Sequence, residues 1–110
     1  MHEPVIESHL RQCTQACNYC HAVCEQTLHY CLHKGGRLLQ GDCVQALIDC
    51  SQICQLTQDL TLRQSPLQER TRGLCAEACH RCAQICQQFQ EDAQMHVCAN
   101  MCQQCATACQ

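Results

Sequence analysis

The sequence predicts an all-α fold, an antiparallel up-and-down four-helix bundle with a cysteine-lined core, built from residues 1–110 as one domain. Three observations predict it. A C-x3-C-x2-C-x3-C pattern runs through Cys13, Cys17, Cys20 and Cys24, returns at Cys75, Cys79, Cys82 and Cys86, and returns again at Cys98, Cys102, Cys105 and Cys109; a weaker copy reads Cys43, Leu47, Cys50, Cys54. At about 100° per residue these spacings hold four side chains within an arc of about 60° on one helical face. Helix stop and start signals fall between the four runs, at Gly35-Gly36, Gly41-Asp42, Ser65-Pro66 and Glu91-Asp92. No segment alternates polar and apolar residues as a strand would.

The first helix is expected to start near Pro4, a residue suited to the first helical turn, and to run until Gly35-Gly36 stops it. Cys31 lies eighteen residues, or about five turns, beyond Cys13, so it rejoins the same stripe, with Ile6 and Leu28 close to that direction. The second helix starts around Asp42, an N-cap candidate, and continues to about Arg63. Its sulfur stripe is the poorest, and Ile53, Leu56 and Leu60 form an apolar flank that must pack on a neighbouring helix or another subunit. Ser65 as N-cap, Pro66 at the first helical position and Gln68 completing a capping box announce the third helix, which ends near Phe89. Glu91-Asp92 supplies the turn and cap for a fourth helix reaching the C-terminus. Short connections favour the antiparallel arrangement.

Composition narrows the function. Aromatic residues are nearly absent, with no Trp, one Phe and two Tyr, while 16 cysteines stand where large core side chains would be. A net charge of -3 and only seven Lys plus Arg argue against nucleic acid as a partner. Residues Met1 to His9 show neither a basic start nor an apolar run, so no signal peptide and no membrane span are expected. A reducing cytoplasm with free thiols follows. Helix positions four apart hold their Cβ atoms about 5–6 Å apart, too far for the roughly 3.5–4.5 Å of a disulfide, which leaves bridges between helices open. Packing preference alone would mix far more Leu and Ile into such stripes, so a metal-filled interior is the reading. Leu47 and Leu28 are packers.

Soft thiolates select Cu(I), Zn(II) or iron–sulfur clusters. Structural zinc is usually held by short knuckles and loops around one ion, whereas continuous sulfur lines on rigid helices suit a row of ions. The C-x2-C-x2-C-x3-C-P run of bacterial ferredoxins is missing, which weakens an iron–sulfur redox protein without removing it. Seven C-x3-C pairs, Cys13/Cys17, Cys20/Cys24, Cys50/Cys54, Cys75/Cys79, Cys82/Cys86, Cys98/Cys102 and Cys105/Cys109, each offer two sulfurs to one small ion. A monovalent ion replacing one thiol proton leaves the buried core neutral, and a divalent ion at the same loading does not. Cu(I), several ions per chain, is the expected cargo, with a zinc or heavy-metal thiolate buffer as the milder alternative. No substrate pocket is indicated, so no enzymatic activity is expected.

The chain resembles the cytosolic copper storage proteins, a family of cysteine-rich four-helix-bundle copper-binding proteins, over nearly its whole length. The Cys-rich stripes of helices 1, 3 and 4, the sparse stripe of helix 2 and the Ser65-Pro66 start of helix 3 carry the resemblance. It implies that all 16 cysteines are Cu(I) ligands, that the protein forms homo-oligomers, commonly tetramers, and that it exchanges copper with a chaperone or low-molecular-weight thiols. The chain departs from the family pattern in two places. Arg72 stands where relatives often carry another cysteine, and Asp92, Gln94, Met95 and His96 stand where they tend to carry histidines and a cysteine. Met95, His33 and His96 are therefore candidate uptake ligands at the end where helix 1 finishes and helix 4 begins, although both histidines point away from their stripes on an ideal wheel. Met101 fills space beside the stripe. His9 points more nearly inward at the opposite end, and His21, His29 and His80 are surface or subunit-contact residues.

Overall fold

The computed structural model describes residues 6–110. Four helices follow one another: α1 (Ser8–Lys34), α2 (Cys43–Leu62), α3 (Gln68–Cys86) and α4 (Ala93–Ala108). There is no strand among the described residues. Each helix packs on its neighbours in the chain, and α1 against α4 closes the ring. All these contacts are antiparallel: the end of α1 meets the start of α4 through Cys31 and Met95, and its first half meets the end of α4 through Cys17 and Cys109. The result is a rod with extents of 54 × 22 × 19 Å.

Pro4 lies outside the described residues, and α1 begins at Ser8 rather than nearer that proline. Glu7 is its cap: the side chain accepts from the backbone N–H of His9 and of Leu10, at 2.8 and 3.3 Å, two donors that the first turn leaves unpaired. These bonds hold the Glu7 carboxyl below its ordinary value, the bond from His9 acting most. Gly35, with φ of +71°, ends the helix, and its N–H bonds the Cys31 carbonyl. A short 3-10 turn (Gly36–Leu39) then buries Leu38 against the bundle.

Asp42 does precede α2, but its side chain makes no cap and lies 3.6 Å from Arg81 instead. The expected capping box at Ser65 does not form. Ser65 Oγ accepts from Leu67 N–H at 3.1 Å, while Gln68 Oε1 turns forward to accept from Arg72 Nε at 2.7 Å, so the helix proper starts at Gln68. A guanidinium one turn along is a charged donor and outcompetes a neutral N–H. At the other end α3 stops at Cys86, three residues before Phe89, in tightened bonds from Gln88 and Phe89 N–H to the Ile85 and Cys86 carbonyls. Asp92 caps α4 as expected, accepting from Met95 N–H at 3.1 Å.

The interior is sulfur. All 16 cysteines are buried, together with Leu38, Leu47, Met95 and a few alanines. Leu28 is half-buried. On α2, Ile53 and Leu60 are half-buried, and Leu56 keeps 47% of its surface exposed. No helix of the described residues is long and apolar enough to cross a membrane.

Candidate metal centre

Four helices that present a sulfur every three or four residues toward one axis place those sulfurs in contact. Starting where α1 begins, Cys17 Sγ lies 3.7 Å from Cys75 and 3.9 Å from Cys105. Cys54 is 3.8 Å from Cys75 and 3.7 Å from Cys79, and Cys50 is 3.6 Å from Cys79. Cys102 then lies 3.8 Å from Cys20 and 3.9 Å from Cys24. Five four-cysteine groups have all their sulfurs within 4.8 Å of one another, and consecutive groups share members: Cys17/75/105/109, Cys54/75/79/105, Cys20/50/54/79, Cys20/24/50/102 and Cys24/82/98/102. Beyond them the Cys43 thiol is pulled down, first by Cys86, against burial, and then by Cys31. The sulfurs therefore form one continuous column and not separate sites.

The spacing suits metal bridging. With metal–sulfur bonds of about 2.3 Å, sulfurs on a shared ion sit about 3.8 Å apart in tetrahedral, 4.0 Å in trigonal and 4.6 Å in linear coordination. The contacts of 3.6–4.0 Å already match the first two, and small χ1 rotations would open the linear one.

Until an ion arrives the column holds itself together through S–H to S contacts. Hydrogen bonds with Cys20, Cys24, Cys50 and Cys82, and then burial, push the Cys102 thiol well up. Those with Cys105, Cys17, Cys20 and Cys50 do the same to Cys54. Cys50 is pulled down, first by Cys102, and Cys75, first by Cys105. At the end of the column burial, and next Cys43, push the Cys31 thiol up to about 12.

One expectation changes at the opposite end. Cys13 and Cys109 are joined as a disulfide from α1 to α4, leaving fourteen free thiols where sixteen were expected. Helical spacing rules out bridges within one helix, but here antiparallel neighbours bring the Cα atoms to 4.8 Å, inside disulfide range. While bridged, these two sulfurs carry no thiolate for a metal.

Met95 is fully buried with Sδ 3.7 Å from Cys31 Sγ, extending the column by a thioether. His33 and His96 are exposed and belong to none of the sulfur groups. Met101 is half-buried against the core. His9 does not face inward: it is exposed, with Nε2 3.0 Å from the carbonyl of Gln110. His80 is exposed, and His21 is half-buried between α1 and α2.

The buried hydroxyls went unread in the sequence. Thr27 falls between Cys24 and Cys31 at helical spacing, and Thr57 and Thr61 extend the Cys50, Cys54 stripe by the same steps of three and four. All three are fully buried. Thr27 donates to the Val23 carbonyl at 2.7 Å and accepts from Gln94 at 2.9 Å, and Thr57 donates to the Thr71 carbonyl at 3.3 Å. They occupy stripe positions where sulfur is missing, and their spacing was the signal that could have found them.

Comparison with known proteins agrees with this architecture. A family model described as "Copper storage protein" matches residues 6–110. Among solved structures, a protein of Nitrosospira multiformis is 34% identical, with a TM-score of 0.85 over 92% of this chain and 91% of its own. The Cu(I)-bound copper storage protein BsCsp3 is 25% identical, with a TM-score of 0.87 over 93% and 95%. The apo copper storage protein 3 of Bacillus subtilis is 28% identical, with a TM-score of 0.82 over 88% and 91%. No protein with a curated description matches. With the match running through every helix and every cysteine of the column, the chain belongs to the copper storage protein family.

Proposed function

We propose that this chain stores Cu(I), many ions at a time, along the thiol column, and that it does so in the cytoplasm without catalysing a reaction. The observation that carries the reading is the sharing of cysteines between consecutive four-sulfur groups. Shared thiolates bridge ions, and bridging lets capacity approach one ion per cysteine, roughly 16 per chain, or about two fewer while Cys13 and Cys109 stay bridged. A monovalent cargo keeps such a column neutral, since each ion displaces one proton. A column of divalent zinc would accumulate positive charge in a region with no buried carboxylate.

The sixteen cysteines are the proposed ligands, Cys13 and Cys109 in their reduced form. Uptake is proposed at the Cys31 and Met95 end, with Met95 as the first soft ligand and His33 and His96 as exposed helpers. Beside that end, a surface cleft of about 920 Å³ lined by Tyr30, Lys34, Arg37, Phe89 and Asp92 has room for a small thiol carrying copper. A copper chaperone is the other proposed exchange partner. The homotetramer implied by the resemblance would cover the exposed Leu56 flank of α2.

Competition between Cu(I) and Zn(II) for the reduced apoprotein, with bound metal counted by elemental analysis, tests the reading. A colourless protein holding on the order of one Cu(I) per cysteine and giving up zinc to it is the expected result. Saturation at a few ions per chain, retention of zinc against Cu(I), or a brown iron-containing product on purification would overturn it.

A further inference from the structure

The outer side of α1 carries a second row of metal-binding residue types. His21, Glu25, His29 and His33 recur every fourth residue, each step turning about 40° past a full turn. The first two are engaged in holding α1 to α2: His21 Nδ1 lies 3.0 Å from the Ser51 carbonyl, and Ser51 Oγ donates to Glu25 Oε2 at 2.6 Å. His29 and His33 are different. Both are exposed, and their ring centroids lie 5.1 Å apart with the planes tilted by 36°.

That separation is one a shared ion allows. A metal bound to one nitrogen of each ring at about 2.0–2.1 Å sits about 3.2 Å from each centroid, so a tetrahedral angle puts the centroids about 5.2 Å apart and a right angle about 4.5 Å apart. The pair matches the tetrahedral value. Its charge environment is permissive, because the Lys34 ammonium is turned toward the Tyr30 ring at 5.5 Å and the Asp92 carboxylate at 3.9 Å. Glu25 adds a negative charge one turn before His29.

We propose that His29 and His33 form a second, exterior metal site on the bundle, a two-imidazole chelate for a borderline divalent cation of tetrahedral preference, Zn(II) foremost, with water completing the coordination. Imidazole suits such cations as thiolate suits Cu(I), so the two sites divide metals by softness. The helix fixes the pair before metal arrives, and binding requires no refolding.

The test uses protein saturated with Cu(I), so that the thiolates are occupied, titrated with Zn(II) against a chromophoric zinc chelator while the histidine ring protons are followed by NMR. Wild type should take up about one Zn(II) with shifts confined to His29 and His33. His29→Ala should weaken that binding roughly tenfold or more, because the second imidazole acts as an intramolecular ligand. His80→Ala, at an exposed histidine of α3, should leave it unchanged, and both variants should hold as much Cu(I) as wild type. The proposal is overturned if His29→Ala binds zinc as wild type does, if the shifts fall on other histidines, if zinc is taken up only by displacing Cu(I), or if none is bound at millimolar concentration.

Discussion

Replacing Cys102 by alanine asks whether the sulfur column is a bridged row or one indivisible cluster. Cys102 belongs to two of the overlapping groups, and its Sγ lies 3.8, 3.9 and 4.0 Å from those of Cys20, Cys24 and Cys50. If each thiolate bridges two ions, its loss weakens two adjacent positions and lowers capacity by about one to two Cu(I). In the apoprotein the same change removes one fully buried heavy atom and leaves a small void, a cost of about 1–2 kcal/mol. In a chain of this size that lowers Tm by about 4–12 °C with the bundle still folded. Anaerobic Cu(I) titration against a chromophoric chelator gives the first number, and thermal unfolding followed by circular dichroism gives the second. Cys31→Ala, at the end of the column and outside all five groups, is the control and should cost at most about one ion. Unchanged capacity in Cys102→Ala would refute bridging at the middle of the column. Loss of most of the copper would refute an incrementally filled row, and an unfolded apo variant would show that packing at this position had been underestimated.

Three further outcomes are expected. Because Cys31 is pushed up to about 12 from an ordinary 9.0, the folded apoprotein holds that proton more tightly than the unfolded chain. The stability this confers is complete below about pH 9 and is lost as pH rises toward 12, so the apo Tm should fall across that window while the Cu(I)-loaded Tm, with the proton already displaced, should not; parallel falls in both forms would contradict this. Met95→Leu conserves volume at a cost under about 1.5 kcal/mol but removes the sulfur beside Cys31, so stopped-flow loading should slow while final capacity stays within about one ion of wild type, and equal rates would remove Met95 from the uptake path. Leu56→Glu places a charge on the exposed flank of α2 and should convert the proposed tetramer to monomers in sedimentation or light scattering; an unchanged mass, or a monomeric wild type, would sink the interface.

The four helices and their cysteine faces were legible because both rest on local information. A residue type repeating at three and four residues faces one way on any α-helix, whatever lies opposite. Cys13 to Cys24, Cys75 to Cys86 and Cys98 to Cys109 thus announced a buried stripe, and Asp92 announced its cap. Signals that depend on competition were less secure. Gln68 had the spacing for a capping box, yet Arg72 claimed its side chain, and Asp42 gave up capping for Arg81. Thr27, Thr57 and Thr61 followed the stripe, but the partners of a buried hydroxyl are set by the fold: the Val23 carbonyl and Gln94 serve Thr27, the Thr71 carbonyl serves Thr57, and Thr61 Oγ1 is buried without one.

What the sequence by itself determined is therefore the set of inward faces and the chemistry they offer, because those follow from residue type and helical period. Only the tertiary structure decided which sulfurs touch. The offset between antiparallel helices puts Cys50 beside Cys79 and Cys102 beside Cys20, brings Cys13 to Cys109 in a disulfide, and turns Met95 onto Cys31. Those relations depend on how four rods slide and rotate against one another, a balance of packing contacts spread along every interface that no local spacing encodes.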